Sequence, residues 1–217
     1  SKDPFALRRA AIGLLRTIIE NNLTVRIKDL IDYSTKIYLD QGVKQINDQA
    51  GKDLIIFFRD RMRNILKEKK IRTDIIEASI SSHLSDNFLE LYKKTLIMNK
   101  FISKDLGKNA LSTYKRASNI LDQEKPVSKN GPDAVLFKYD EEKELFERIN
   151  SIRKSFTLKE EKKNYEDHLR LLSEAKLSTD KFFDNVKVND ENQDLKNNRL
   201  ELLHILCSTF NTFVDFS

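Results

Sequence analysis

Apolar residues recur every three or four positions along most of the chain, which is the period of an amphipathic α-helix. In the first such segment the apolar residues at helical spacing are Leu7, Ala11, Leu14, Leu15, Ile18 and Ile19. Asp3-Pro4 provides a capping residue followed by a proline at the first helical position. No stretch alternates strongly enough to predict a strand. The pattern predicts an all-α protein with helices over about 4–20, 27–39, 54–66, 73–80, 86–102, 110–121, 140–155, 164–177 and 195–214.

The pattern also predicts which side chains face inward and where the chain turns. Gly107 is expected to break the helical pattern before residue 110. Residues 122–133 are dense in turn-forming residues and are predicted to form a flexible loop. The polar segment 181–198 is predicted to be a loop before the last helix. In the second helix the predicted inward side chains are Leu30, Ile31, Ser34, Ile37 and Tyr38.

Composition supports long helices with broad polar surfaces. The 217 residues include only five Gly and three Pro, while 39% are hydrophobic and 34% are charged. The net charge of +5 is modest, so a local cluster of cations matters more than the total. The single cysteine, Cys207, lies within an apolar repeat and is expected to be a buried, reduced thiol.

Several classes of protein and site are disfavoured. No apolar run approaches the roughly 20 residues of a membrane-spanning helix, and the first residues lack the apolar core of a signal peptide, so we expect a cytoplasmic protein. The chain starts without Met, which indicates a fragment of a longer protein. Because no phosphate-binding glycine loop, paired-cysteine motif or His-Glu-x-x-His is present, we predict no catalytic residue and no metal ligand.

One cluster of cations lies on the third predicted helix. Arg59, Arg61 and Arg63 project from faces other than its apolar stripe. Arginine can bind phosphate or a base edge through two parallel hydrogen bonds, so the three are candidate RNA ligands. The alternative is a solvated surface on which they pair with the nearby carboxylates of Asp60, Glu68 and Asp74.

A second cluster combines an aromatic residue with cations and amide groups. Tyr114, Lys115, Arg116 and Asn119 lie within two helical turns. Proteins hold unpaired RNA bases by stacking on aromatic or guanidinium groups and by hydrogen bonds to the base edge, and this cluster has each of those groups. The alternative places Tyr114 in the core and leaves Lys115 simply exposed.

Four ordered blocks carry a resemblance to a known family. They are Ser1–Ala11, Arg61-Met62-Arg63, Tyr114–Leu121 and Phe182–Ser217. Together they resemble the carboxy-terminal region of the bacterial glycyl-tRNA synthetase β subunit. The resemblance implies a helical bundle of the DALR anticodon-binding type over residues 51–217, preceded by a helical connector over 1–50.

The same resemblance implies a function and partners. The chain would bind the anticodon arm of glycine tRNA and support glycyl-tRNA formation without catalysing it alone. Glycine activation, with ATP and Mg²⁺, would belong to the separate α subunit, and this chain would contain no cofactor. The parent enzyme would be a heterotetramer of two α and two β subunits. The alternative function is a helical protein-interaction scaffold that does not bind RNA.

Residue roles follow from the same comparison. The implied RNA ligands are Arg61, Arg63, Lys115, Arg116 and Asn119, whereas Arg59 is a candidate on charge alone. Three further matching positions are expected to organise the final helices rather than contact RNA. These are Asp184, Asn185 and Arg199.

Overall fold

The helical periodicity is confirmed by the structure, a computed structural model that describes residues 4–43, 47, 49–82, 86–124, 131–159 and 165–212. Those ranges contain α-helices, one short 3-10 helix and no strand, which confirms the all-α prediction. The helices are α1 (Pro4–Glu20), α2 (Ile27–Asp40), α3 (Ala50–Glu68), α4 (Thr73–Ser82), α5 (Phe88–Ile102), α6 (Asp105–Gln123), the 3-10 helix Ala134–Leu136, α7 (Asp140–Lys159), α8 (Tyr165–Ser173), α9 (Ala175–Asn185) and α10 (Gln193–Asn211).

The chain forms two compact units, Ser1–Asn99 and Lys100–Ser217. The first contains α1 to α4 and most of α5, and the second contains the end of α5 and α6 to α10. The predicted boundary near residue 50, between a connector and an anticodon-binding domain, stays a prediction. Among the described helices none is long and apolar enough to span a membrane.

In the first unit α3 is the central helix, and it packs against α1, α2 and α4. The later part of its predicted apolar stripe is buried, with Met62 and Leu66 fully inaccessible to solvent, whereas Leu54 and Ile55 are half-buried. From α1, Leu15 and Ile18 pack into the same core, but Leu7 and Leu14 are 47% and 36% exposed. The spacing of the apolar residues therefore identified the inner faces of both helices only in part.

The predicted inner face of α2 is wrong. Leu30, Ile37 and Tyr38 are 37%, 39% and 56% exposed, and the predicted Ser34 is exposed too. Ile31 is half-buried, and Ile27 is the only buried side chain of this helix. The periodicity of a sequence identifies an apolar helix face but not the element that packs against it. Much of the apolar face of α2 is not covered by any of the described residues.

Asp86 fixes the start of α2. Its carboxylate accepts hydrogen bonds from the Lys28 backbone N–H at 2.6 Å and from Arg26 Nε at 3.1 Å, while its carbonyl accepts from the Ile27 N–H. The amides of a first helical turn have no partner within the helix, so Asp86 provides one from outside. Burial alone would raise the pKa of the Asp86 carboxyl, but these hydrogen bonds more than offset it and the pKa lies below its ordinary value.

In the second unit α10 is the central helix. It packs against α6, α7 and the 3-10 helix, and almost every side chain from Leu195 to Phe210 is buried. Cys207 is a buried free thiol, as predicted, and burial raises its pKa to about 12. The thiol is therefore protonated at neutral pH and is not a nucleophile.

A buried ion network joins α10 to α7 and to the segment before α10. Arg199 and Glu142 are both 1% exposed, and Arg199 Nε donates to Glu142 Oε1 at 2.8 Å. Arg199 Nη1 also donates to Asp190 Oδ2 at 2.7 Å and to the Lys187 carbonyl at 2.9 Å. The expectation that Arg199 organises the final helices agrees with these contacts.

Three local predictions around the second unit are corrected. Gly107 lies inside α6 instead of breaking it, and it is required there because an added Cβ would lie 2.2 Å from the Phe101 carbonyl oxygen. The predicted helix over 164–177 is divided at Glu174 into α8 and α9. The predicted loop over 181–198 is mostly helical, because α9 runs to Asn185 and α10 begins at Gln193.

Other predictions fall partly outside the described residues. Of the predicted flexible loop over 122–133, residues 125–130 are not described, while α6 continues through Gln123. The predicted end of the last helix at residue 214 is also outside the described ranges, within which α10 ends at Asn211.

Replacement of Arg199 by Met should destabilise the second unit by about 3–5 kcal/mol, because Glu142 would remain buried without its cation. Urea unfolding measures this loss. The double variant Arg199→Met, Glu142→Gln should recover part of the lost stability, since it removes the unpaired charge and keeps an oxygen that can accept the Lys138 and Tyr139 amides. Equal stability of the single and double variants would contradict the role given to Glu142.

Asp86→Asn should lower the free energy of unfolding at neutral pH, where the ionised carboxylate is held by Lys28 and Arg26. Because the pKa of Asp86 is lowered by folding, its stabilisation is complete above the ordinary Asp value near 3.9 and is lost as pH falls through the folded-state pKa. The difference between wild type and variant should therefore shrink below about pH 4. Urea unfolding between pH 7 and 3 tests this.

The control is Asp40→Asn, at the exposed end of the same helix. A stability difference for Asp86→Asn that is the same at pH 3 as at pH 7 would contradict the role of the carboxylate.

Candidate nucleic-acid interface

The exposed face of α6 contains three of the predicted RNA ligands. Lys115, Arg116 and Asn119 are all exposed, while Tyr114 and Ala117 on the opposite side are buried. Residues three or four apart in a helix are surface neighbours, so these three side chains form one cluster within a single turn. The cluster presents two cations and one amide to solvent.

Arg116 is held in place by α9. Its guanidinium carbon lies 4.2 Å from the centroid of the Phe183 ring, a cation–π contact. Phe183 is half-buried, and it contacts the fully buried Phe182 with the ring centroids 5.5 Å apart. The stacked guanidinium therefore has a fixed position while Arg116 itself remains exposed.

Tyr114 is not part of this cluster, contrary to the sequence-based assignment. It is 2% exposed, and its ring packs against Phe210 of α10 with the centroids 5.8 Å apart. A ring in that position cannot stack on an RNA base. Tyr114 precedes Lys115 by one residue, and successive residues of a helix point about 100° apart, so sequence proximity did not imply a common face.

The cations of the first unit lie in different surroundings. Arg63 Nε donates to both carboxylate oxygens of Glu77, at 3.0 and 3.1 Å, and Arg63 Nη1 donates to Asp60 at 2.6 Å. Its side chain is only 29% exposed. Arg63 therefore joins α3 to α4, and its pairing with Asp60 was the alternative derived from the sequence.

Arg61 and Arg59 are both half-buried. The Arg61 guanidinium lies over the Phe57 ring of the same helix at 4.7 Å, and its buried Nε has no hydrogen-bond partner among the described residues. Arg59 has at least one polar or electrostatic contact. The predicted first cluster is thus less available to a ligand than the α6 cluster, and it lies in the other unit.

Phe183 is the residue that sequence reasoning missed. The available signal was the Phe182-Phe183 pair, because adjacent residues of a helix point about 100° apart, so on a helix that packs along one side one of two neighbouring rings lies nearer the surface. The neighbouring Asn185 donates through Nδ2 to the Lys181 carbonyl at 3.0 Å, near the end of α9. This contact fits the organising role expected of Asn185, whereas Asp184 is exposed.

The described residues contain no group of three His, Cys, Asp or Glu side chains placed to hold a metal ion. The features that remain are two exposed cations, one of which has its guanidinium over the Phe183 ring, and an adjacent amide. These groups are suited to binding phosphate and unpaired bases.

Comparison with known proteins decides the family. A sequence model described as "Glycyl-tRNA synthetase beta subunit" matches residues 1–81, and one described as "DALR anticodon binding domain" matches residues 110–216. Proteins named glycine–tRNA ligase β subunit align with the whole chain, at 39% identity in Rickettsia felis, 37% in Rickettsia africae and 35% in Rickettsia prowazekii. The chain belongs to the glycyl-tRNA synthetase β-subunit family.

The chain aligns with less than a third of the length of these β subunits. The chain spans 30% of the length of the Rickettsia felis protein and 31% of the other two. The α6 cluster and Phe183 lie in the part that matches the DALR domain, whereas Arg59, Arg61 and Arg63 lie in the part that matches the β-subunit model.

Replacement of Arg63 by Ala should lower the free energy of unfolding by about 1 kcal/mol, because two carboxylates lose a half-buried partner. A double-mutant cycle with Glu77→Ala should give a favourable coupling energy for the pair. The control Lys115→Ala should change stability by no more than about 0.5 kcal/mol. Unchanged stability of Arg63→Ala would contradict the structural role.

Proposed function

We propose that this chain binds the anticodon arm of glycine tRNA through the exposed face of α6 and the end of α9. The observation that carries the proposal is the cluster of Lys115, Arg116 and Asn119, with Arg116 stacked on Phe183, inside the segment that matches the DALR anticodon-binding domain. A protein holds an RNA loop by three kinds of contact, which are ion pairs with phosphate, stacking on bases and hydrogen bonds to base edges.

The first kind of contact is with the phosphate backbone. Lys115 and Arg116 are exposed and adjacent, and cations so placed attract the backbone and release its counterions on binding. Their contacts position the RNA without reading its sequence. Arg116 loses less side-chain entropy on binding RNA than an unsupported arginine would, because its guanidinium already contacts the Phe183 ring.

The other two kinds of contact, stacking and hydrogen bonds to base edges, are made with unpaired bases. The outer face of a stacked guanidinium is a platform on which a base can lie, and in this arrangement Phe183 supports Arg116 from beneath. The Asn119 amide has both a donor and an acceptor, so it can pair with the edge of such a base. The amide lies one turn from the guanidinium, within the span of neighbouring nucleotides.

We further propose that the chain works as part of a longer β subunit in the enzyme that joins glycine to its tRNA. Glycine activation with ATP and Mg²⁺ is assigned to the α subunit, and the assembly contains two α and two β subunits. Arg59, Arg61 and Arg63 are kept as secondary RNA candidates. Among them Arg61 is the strongest, because its guanidinium lies over the Phe57 ring and no carboxylate of the described residues pairs with it.

Binding to a glycine tRNA transcript, and to one with altered anticodon bases, tests the proposal across a salt series. We expect tighter binding to the intact anticodon, with affinity falling steeply as salt rises. Arg116→Ala should weaken binding and reduce the slope of log K against log salt by about 0.7–0.9, which is one phosphate contact. Phe183→Leu, which keeps an apolar side chain but removes the ring, should weaken binding with little change in that slope.

The matched control is Arg72→Ala. Arg72 is an exposed arginine of the first unit that pairs with Asp74, and its removal changes the net charge by the same amount. Equal losses for Arg72→Ala and Arg116→Ala would overturn the site. Equal affinity for both transcripts would overturn anticodon reading and leave a module that binds the RNA backbone. No binding at low salt by a folded chain would favour the scaffold function.

A further inference from the structure

The apolar surface of α2 has no part in the proposed RNA binding. Tyr33, Tyr38 and Leu39 are 66%, 56% and 51% exposed, and Leu30 and Ile37 are more than a third exposed. A surface helix ordinarily buries its apolar stripe against a neighbour. Here α2 packs mainly against α3, and much of its apolar surface faces solvent.

Part of this surface borders a groove of about 800 Å³ between α2 and α3, which we call the α2 groove. The wall from α2 includes Ile27, Leu30 and Tyr38, and the wall from α3 includes Leu54 and Phe58. Leu14 of α1, which is 36% exposed, closes one side. The groove therefore continues directly from the core of the first unit.

The polar groups of the groove are few, and two of them are already engaged. Ser34 Oγ donates to the Leu30 carbonyl at 2.7 Å, within its own helix. Asp32, Thr35 and Asn47 also border the groove, and Asn47 Oδ1 accepts the Gln49 backbone N–H. A small polar ligand usually needs several convergent polar groups, whereas a groove between two helices with apolar walls suits the apolar face of a third helix.

The length of the relatives identifies where such a helix would come from. The groove lies wholly in the segment that matches the β-subunit model, and the relatives are about three times as long as this chain. Large exposed apolar patches on soluble proteins mark interaction surfaces, and permanent interfaces are the more apolar kind. A helix of the same polypeptide is present at a high effective concentration, so it can cover an apolar surface without a separate binding partner.

We propose that the α2 groove binds an amphipathic helix from the part of the longer β-subunit polypeptide that this chain does not span. The proposal depends on family membership and not on RNA binding. It explains why α2 retains an apolar face at the positions that the sequence pattern predicted to be internal. The partner that makes those positions internal is another part of the same subunit.

Amide hydrogen exchange provides the test. It compares α2 in the 217-residue chain with α2 in a β subunit of the relatives' full length that carries this chain as its matching segment. The α2 amides should exchange at least tenfold more slowly in the longer protein. Amides of α10, which is buried within the second unit, serve as the internal reference and should differ by much less.

A pair of matched variants separates docking from folding. Tyr38→Glu places a charge in the groove at a side chain that is already 56% exposed, so the thermal midpoint of the 217-residue chain should change little. In the longer protein it should abolish the added protection of α2. Leu177→Glu, at a 66% exposed leucine of the second unit, should leave that protection intact.

Three results would overturn the proposal. One is equal α2 exchange in the short and long proteins. Another is a concentration-dependent dimer of the 217-residue chain, detected by light scattering, in which α2 becomes as protected as in the longer protein, since the occupant would then be a second copy. The third is added protection that survives Tyr38→Glu, which would place the contact elsewhere on α2.

Discussion

The buried pair of Arg199 and Glu142 is the contact on which the second unit depends. Glu142 is at the start of α7 and accepts the Lys138 and Tyr139 backbone amides through one oxygen, while its other oxygen binds Arg199 of α10. Arg199 reaches in turn to Asp190 and the Lys187 carbonyl. Two helices and one connecting segment thus meet at one guanidinium, and a buried charge tolerates few other arrangements.

That arrangement determines which surface of the second unit is available to bind RNA. Because α10 lies at the centre and packs against α6, the α6 side chains divide sharply into Tyr114 and Ala117 inside and Lys115, Arg116 and Asn119 outside. The packing of α9 then brings Phe183 beneath Arg116. The packing of the core therefore determines which side chains form the exposed cluster.

Cations on a helix acquire different roles from the carboxylates around them. Arg63 and Arg116 have the same chemistry, yet Arg63 is bound by Glu77 and Asp60 while Arg116 lies on a phenyl ring. An arginine between two carboxylates has its charge offset and has fewer N–H donors left for phosphate. An arginine on a ring keeps its support when phosphate arrives. The α2 groove adds a second surface of a different kind, whose apolar walls suit a protein helix.

The sequence alone determined the all-α class, the existence of most helices and the burial of Cys207, because helical periodicity and composition are local properties. It also identified the family, through ordered blocks that extend along nearly the whole chain. It could not locate the partner of an apolar or charged face. Only the tertiary structure decided that Tyr114 is buried, that Arg63 is also held by Glu77, that Phe183 lies beneath Arg116 and that much of the apolar face of α2 is exposed. Each of these depends on how the helices pack, which local sequence patterns do not determine.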